Sequence, residues 1–374
     1  MQQKSTETLG ILLELNTKLG YHLQIARGIA RFRATRSHWR FLAGLSDQKH
    51  GSLPFALVGA IGQINSSEDT QNLFQHLGIQ HRVSTSNRDA GPFPWAQVIS
   101  DDEAVGRMAA QYFLRKRFQR FAVVGFRNLC FSEERTRGFA EELQAHGHKD
   151  VHVLMMDDRL RVETLAPLFP LALFAVTDTA ALSFLLFALE AGIRVPEDLA
   201  VLGVDNDEQV ELFTPVPLSS IQIPGEAVGF KACEVLEEMI LSGTSSRDIL
   251  RLPPVGVVER RSTEIIAVDD ELVRSVQEFM DTHLAEIGDI RDVAKALNLH
   301  RRSLDRRFFA AVGVTPADWL ARRRVARAET LLLETEYTVD DIAERVGLNE
   351  RRRLAMTFRK FSRPMPSVLR KAGR

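Results

Sequence analysis

At 374 residues the chain is too long for one ordinary domain, and 45% hydrophobic with 26% charged residues is the balance of a soluble globular protein, not of a disordered or membrane-embedded one. Its two cysteines, Cys130 and Cys233, are too few for a disulfide framework or a thiolate metal site and read as reduced thiols. A net charge of −1 argues at first against a polyanionic partner, but the charge is unevenly spread: residues 1–267 carry 27 basic and 32 acidic side chains, residues 268–374 carry 21 and 17, and from His300 onward 18 basic face 9 acidic. A basic end on an acidic body is the pattern of a nucleic-acid-binding module, although a basic solvated helix face is its commoner cause.

The first residues, MQQKSTETLGILLELN, have one lysine and an apolar run that meets Glu14 at once, which is not a signal peptide. From there short apolar runs alternate with amphipathic stretches. ILLEL (11–15) reads as a strand and 21–36 as a helix; WRFLAG (39–44) and FALVGAIG (55–62) read as buried strands. A helix over 103–117 precedes the strand FAVVGF (121–126), and a helix over 132–147 precedes VHVLMM (151–156). LALFAVTD (171–178), a helix over 181–192 and LAVLGVD (199–205) follow. The run 175–193 is interrupted by Asp178 and Glu190, too polar for a membrane span. Strand–helix alternation over about 255 residues predicts an α/β region with parallel sheets, large enough for two lobes. The expected location is the cytoplasm.

The rhythm changes after PPVGVVERRST (253–263). Residues 264–268 read as a linker between a domain over 1–263 and a second over 269–374 that is helical throughout. Within the second lies a repeat of about 50 residues. Asp292-Val293-Ala294 matches Asp341-Ile342-Ala343, and Leu304, Phe308 and Pro316 match Leu354, Phe358 and Pro366, with one residue inserted in between. Each copy has the grammar of a helix-turn-helix. A short helix carries a small alanine at a close crossing, a turn falls near Asn298 or Gly347, and a second helix has apolar residues at i, i+4 on one face. The other face is basic: Arg301, Arg302, Arg306 and Arg307 in the first copy, with Ser303 among them as a further DNA-contact candidate, and Arg351, Arg352, Arg353, Arg359 and Lys360 in the second. Such a helix fits the major groove of double-stranded DNA, where arginine bonds guanine bidentately while half or more of the contacts go to phosphates. Between the copies, 319–336 reads as a long helix that holds them apart, packing through Leu320, Val325, Ala328, Leu331 and Leu332.

ADWLARRRVARAETLLLETEYTVDDIAERVGL (317–348) resembles the signature region of AraC-type transcription regulators, a likeness that extends over roughly 270–372. It implies two helix-turn-helix units entering adjacent major grooves. The second unit departs from the pattern: Ser362-Arg363 stands where the family has an aromatic-glycine pair, Leu369 replaces an aromatic, and Pro364 is extra. Specificity is accordingly expected to rest more on the first unit. Residues 9–263, above all 195–240 and LPPVGVVERRST, resemble the sugar-binding domain of LacI-type repressors and periplasmic sugar-binding proteins. The combination is similar to the xylose-operon type of AraC-family regulator. The fold class implied is α/β, a two-lobed type I periplasmic-binding-protein-like sensor, followed by an all-α domain with two helix-turn-helix units. The partners implied are operator DNA, a small sugar effector such as the pentose D-xylose, RNA polymerase, and a second copy of the chain in a two-fold dimer that reads paired half-sites.

Sugar recognition needs groups that bond two hydroxyls each, placed at C-terminal strand ends facing a cleft. The candidates are Asp205 and Asn206 after AVLGV, Asp178 after FAVT, Arg135 at an expected helix start, Asp102 after QVIS, and Asn16 after the first strand. Asp at a strand end is also a common cap or turn former, and an arginine also serves in surface ion pairs. Phe126, Phe131 and Trp95 are candidates for stacking on a sugar ring, with core packing the commoner use. The Asp205-Asn206-Asp207 cluster lacks the glycine and distal glutamate of a calcium loop, so no metal and no cofactor is expected. No GxSxG elbow, P-loop or HExxH is present. Two rival readings stay open: a sugar-metabolising enzyme with an appended DNA-binding module, and a ligand-binding protein whose basic tail has another partner.

Overall fold

The computed structural model describes residues 8–15, 20–43, 55–64, 68–87, 95–156, 162–264, 270–312, 314–361 and 363–372. The chain divides into two compact units, 1–265 and 266–374.

The first unit runs β1 (Leu9–Glu14), α1 (Gly20–Arg33), β2 (Trp39–Ala43), β3 (Leu57–Gly62), α2 (Glu68–His76), β4 (His81–Ser84), β5 (Ala96–Ser100), α3 (Asp102–Arg115), β6 (Phe121–Gly125), α4 (Cys130–Ala145), β7 (Val151–Met155), β8 (Leu171–Ala175), α5 (Asp178–Glu190), β9 (Leu199–Val204), α6 (Glu208–Glu211), β10 (Ser219–Gln222), α7 (Gly225–Ser242), β11 (Ile249–Leu252) and β12 (Gly256–Val258). These strands form two six-stranded sheets, in the orders β11-β5-β4-β3-β1-β2 and β12-β10-β9-β8-β6-β7. The chain therefore crosses between the sheets three times, after β5, after β10 and after β11. All pairings are parallel except β10 with β12, a departure from the expected all-parallel sheets.

Each lobe has its own core. In the first, Ile11, Ile61, Val83 and Val98 of the sheet pack against Ile25 and Ile29 of α1 and Val228 and Leu236 of α7. In the second, Val124, Leu173 and Val201 pack against Phe184 and Leu185 of α5. β6, β8 and β9 are buried along their whole lengths, which is why they read as unbroken apolar runs. α3 packs on α4 at backbone distance: a Cβ at Gly106 would lie 2.1 Å from the Arg135 carbonyl oxygen, and one at Gly138 would lie 2.2 Å from that of Glu103. This close crossing sets the relation between the first turn of α3 and the second turn of α4.

The second unit is α8 (Glu271–Thr282), α9 (Ile290–Ala296), α10 (Arg301–Val312), α11 (Pro316–Glu334), α12 (Val339–Arg345), α13 (Arg351–Lys360) and α14 (Pro366–Ala372). It has two cores. Val273, Val276, Val293, Leu304 and Phe308 surround Trp319 and Leu320 from the start of α11. Ile342, Ala343, Leu354 and Phe358 surround Val325, Ala328, Leu331 and Leu332 from its remainder. The five packing residues expected in the long helix are all buried. The repeat recurs in the caps: Asp289 with Asp292, and Thr338 with Asp341, each form a reciprocal capping box at the start of α9 and α12. Asn298 and Gly347 hold the turns at φ 58° and 73°; the inserted residue of the second copy falls in its turn, where Asn349 adds a second left-handed residue at φ 56°.

Candidate functional site

The C-terminal ends of β3, β4, β5, β6, β8 and β9 converge on a cavity of about 280 Å³ between the two lobes of the first unit. Gln63, Asn87 and Ser100 line it from the first lobe, and Asp102, Phe126, Phe131, Arg135, Thr177, Thr179 and Asp205 from the second. A mixture of amides, hydroxyls and one charged cluster around two aromatic edges suits a small polyol, whose hydroxyls need paired donors and acceptors. The Ser100 hydroxyl is buried and has no partner among the described residues.

Three sequence candidates meet here. Arg135, 5% exposed, donates from Nε to Asp102 Oδ1 at 2.7 Å and from Nη1 to the Val176 carbonyl, and Nη1 stands 3.8 Å from Asp205 Oδ1. Asp102 opens α3 behind its N-cap Asp101, and its Oδ2 accepts from Asn87 Nδ2 at 3.2 Å. Burial raises the Asp102 carboxyl against the opposing pull of Arg135, and burial pushes Asp205 up to about 7 despite the same guanidinium. The Asp205 backbone has φ 109°, strained for a non-glycine residue, and is held from both lobes: its N–H donates to Ile221 O at 3.0 Å and its carbonyl accepts from Gln24 Nε2 at 3.0 Å. Arg135 lies in the second turn of α4 and not at the helix start, because α4 begins at Cys130.

Other candidates stand elsewhere. Asp178 is buried behind the cavity wall, and both its oxygens are occupied: Oδ1 accepts from Ser220 Oγ at 2.7 Å and Oδ2 from the Asp207 N–H at 2.8 Å. It organises the loop that carries Asp205, while its neighbours Thr177 and Thr179 face the cavity. The Asn206 side chain is spent on Gln222 (2.7 Å) and Arg260 (2.8 Å) and lines a separate groove on the same unit. Trp95 packs in the first lobe with Leu12, Leu57 and Phe74, whereas Phe126 and Phe131 reach the cavity. Asn16 lies outside the described residues.

Four cavity residues, Tyr21, Gln63, Asn87 and Ser100, had no signal in the sequence reading. Gln63, Asn87 and Ser100 sit at or just after the ends of β3, β4 and β5; β3 and the end of β5 were legible as FALVGAIG and QVIS, and only β4 gave no sign of itself. Tyr21, in the first turn of α1, has its hydroxyl held protonated by burial and by the nearby carboxylates Asp102 and Asp205. A polar chain crosses between the lobes at this point: Arg251 bonds Glu134 at 2.8 and 2.9 Å, Glu134 accepts from Asn87 at 2.6 Å, and Asn87 bonds Asp102.

In the second unit, α10 buries Leu304, Phe308 and Val312 and α13 buries Leu354 and Phe358, and each leaves an opposite face exposed. The named basic residues divide in two groups. Arg302, Arg306, Arg351, Arg352, Arg353 and Arg359 are exposed and, among the described residues, make no ion pair. Ser303 is exposed beside Arg302. Arg301 is tied to Asp305 (2.7 Å) and Asp289, Arg307 to Asp270 at the N-cap of α8, and Lys360 to Asp318. Phe309 and Met356, 56% and 62% exposed, share the outward faces with the arginines. They were missed because only charge was followed there; apolar contact with a thymine methyl is the use such residues have in a major groove.

Two family models match, a periplasmic binding protein-like domain over residues 110–263 and a helix-turn-helix domain over 293–372. The xylose operon regulatory protein of Haemophilus influenzae is 24% identical, with 96% of this chain and 97% of that protein covered. The HTH-type transcriptional repressor PurR of Vibrio atlanticus is 28% identical over 70% of this chain and 83% of its own length. The solved structure of the xylose-binding transcription activator xylR is 22% identical, covers 97% of this chain and 98% of that one, and superposes with a TM-score of 0.67. No helix among the described residues is long and apolar enough to cross a membrane. The chain thus carries a periplasmic binding protein-like domain followed by a helix-turn-helix domain, and over nearly its whole length it is similar to a xylose operon regulatory protein.

Proposed function

We propose that the first unit closes on a small sugar, a pentose such as D-xylose, and that binding alters how the helix-turn-helix units engage operator DNA. The observation that carries this reading is the Arg135, Asp102 and Asp205 cluster at the lobe junction. It presents a guanidinium and two carboxylates to one small cavity whose lining also includes amides, hydroxyls and the aromatic rings of Tyr21, Phe126 and Phe131. A volume near 280 Å³ lies at the small end of ligand pockets, ~300–1,000 Å³, and favours a monosaccharide over a longer chain. The similarity to xylose operon regulatory proteins over nearly the whole length supports the choice of a pentose. Because the cavity draws residues from both lobes, with Gln63, Asn87 and Ser100 facing the Arg135 cluster, ligand contacts differ between open and closed forms, the condition for an effector to shift an equilibrium.

The reading further assigns the protein to the cytoplasm, to non-catalytic ligand exchange, and to a homodimer on paired half-sites, with RNA polymerase as the partner of an activated promoter. A second copy is supported by apolar side chains left in water on the second lobe, Leu212 at 79% and Phe213 at 74% exposure beside α5, whose Phe187 is 44% exposed. A melting-temperature panel of pentoses and hexoses tests the effector: a pentose raises the melting temperature of the parent and leaves D205A unmoved, and the sugar is recovered unchanged. Conversion of the sugar would favour an enzyme, and no shift with any sugar would remove the cleft from sugar recognition.

A further inference from the structure

We infer that Arg324 is a positioning residue that fixes the spacing and orientation of the two helix-turn-helix units by clamping the first to the turn of the second. Arg324 sits on α11 between the residues that serve the first core, Trp319 and Leu320, and those that serve the second, from Val325 onward. It is 7% exposed. Its guanidinium donates to the Leu284 carbonyl from Nε at 3.2 Å and from Nη2 at 2.9 Å, and Nη2 also reaches the Ile287 carbonyl. Both carbonyls belong to the segment that leaves α8 and leads into the Asp289 cap of α9. From the other side comes Gly347, the left-handed residue in the turn between α12 and α13: a Cβ there would lie 2.6 Å from the Ala285 carbonyl oxygen, 2.7 Å from Arg324 Nη2 and 2.9 Å from the Leu284 carbonyl oxygen.

Five groups from both units, the Arg324 guanidinium, the Leu284, Ala285 and Ile287 carbonyls and Gly347, therefore meet at one point. A planar fork satisfies two carbonyls at once; a lysine ammonium on a flexible stem would not fix their geometry. The guanidinium's recorded partners here are carbonyl oxygens, not a carboxylate. Burial, and then the like charge of Arg353 on α13, draw it below the ordinary arginine range. A buried cation held by carbonyls and next to a recognition helix contributes little as a surface charge; its value lies in fixing distance. Adjacent major grooves are one helical turn apart, so a small change of angle between α10 and α13 removes one of them from its groove.

The inference rests on the reading of two DNA-entering units, and its test includes a measurement without DNA. In the full chain carrying C130S and C233A, spin labels are placed at S303C and M356C on the outward faces of α10 and α13. The parent is expected to give a narrow distance distribution. R324M is expected to at least double its width while helicity and cooperative melting persist, and R324K to fall between. A distribution in R324M as narrow as the parent's, at the same mean, would overturn the proposal. Should R324M fail to fold, R324K and G347A, whose new methyl would push the turn off the Ala285 and Leu284 carbonyls and off Arg324 Nη2 while leaving the cation in the chain, decide it by the same criterion. A selection from randomised 40-base-pair duplexes adds the functional arm: R324K should enrich the parent's two sequence elements with relaxed spacing, and retention of one fixed spacing would count against the clamp. If the parent enriches no duplex, the DNA-binding reading fails while the distance data still judge Arg324.

Discussion

Arg135 on α4 meets Asp102 on α3 through a 2.7 Å bond, although both side chains are almost fully withdrawn from water and stand 33 residues apart. The pair exists because two helices approach to backbone contact at Gly106 and Gly138, and it presents Arg135 to Asp205 across the cavity floor. The first three predictions concern this relationship.

Removing the cation strands a carboxylate. R135A should destabilise the first unit by about 3–5 kcal/mol at neutral pH, the range for leaving a buried charge uncompensated. The loss should be smaller at an acidic pH, since burial already favours the protonated form of Asp102. Urea titrations at the two pH values measure it; an equal loss at both would mean that Asp102 is not the stranded group.

Asp205 is the opposite case, a group whose ionisation the fold disfavours. Its carboxyl titrates near 4 in an unfolded chain and near 7 here, so between those values the folded state holds more protons than the unfolded state. Stability of the ligand-free protein should fall as pH rises through that window and level off above it. D205N removes the penalty. Its melting temperature should exceed the parent's at about pH 8, with the gap narrowing steadily toward pH 4, while the response to sugar is lost. A gap independent of pH would exclude Asp205 as the titrating group.

The helix crossing itself can be tested without touching a charge. In G138A the new methyl would sit 2.2 Å from the Glu103 carbonyl oxygen, and backbone cannot yield as a side chain can. A cost of about 1–3 kcal/mol is expected from overpacking. Sugar affinity should weaken as well, because Asp102 and Arg135 ride on the displaced helices. Calorimetric titration that shows parental affinity would uncouple the crossing from the site.

On the DNA side the structure separates arginines that look alike in the sequence. R302A and R306A should each cost about 1–3 kcal/mol of operator affinity if they read bases, or lower the salt slope by about one if they hold phosphates. R307A, whose side chain is bound to Asp270 in the folded protein, should cost less affinity than R306A. Fluorescence anisotropy over a salt series on a selected duplex ranks them, and the reverse order would mean that the Asp270 pair opens on DNA.

The parts that the sequence displayed were those with a local cause. The two helix-turn-helix units announce themselves through a repeat of caps, small residues and i, i+4 apolar pairs, and β6, β8 and β9 through unbroken apolar runs. β4, β5 and β10 to β12 are three to five residues long and too short to show a period. The site was half legible for a related reason. Asp205 follows a strand end and Arg135 stands three residues before the helix glycine Gly138, but Asp178 looks the same as Asp205 from its neighbours. Only the fold brings Ser220, 42 residues away, and the Asp207 N–H onto its two oxygens. Asn87 was invisible because β4 was, whereas Ser100, the last residue of QVIS, was passed over for Asp102.

The extra residue in the turn before α13 bears on any attempt to re-target this protein. Recognition helices α10 and α13 look interchangeable, since Leu304 and Phe308 superpose on Leu354 and Phe358 in the repeat. They start, however, from turns of unequal length, one with a single left-handed residue and one with two, so a segment grafted from one slot into the other would enter rotated about its axis by the angle one residue spans. A swap of DNA specificity would have to carry over the outward-facing residues alone and leave each native turn in its place.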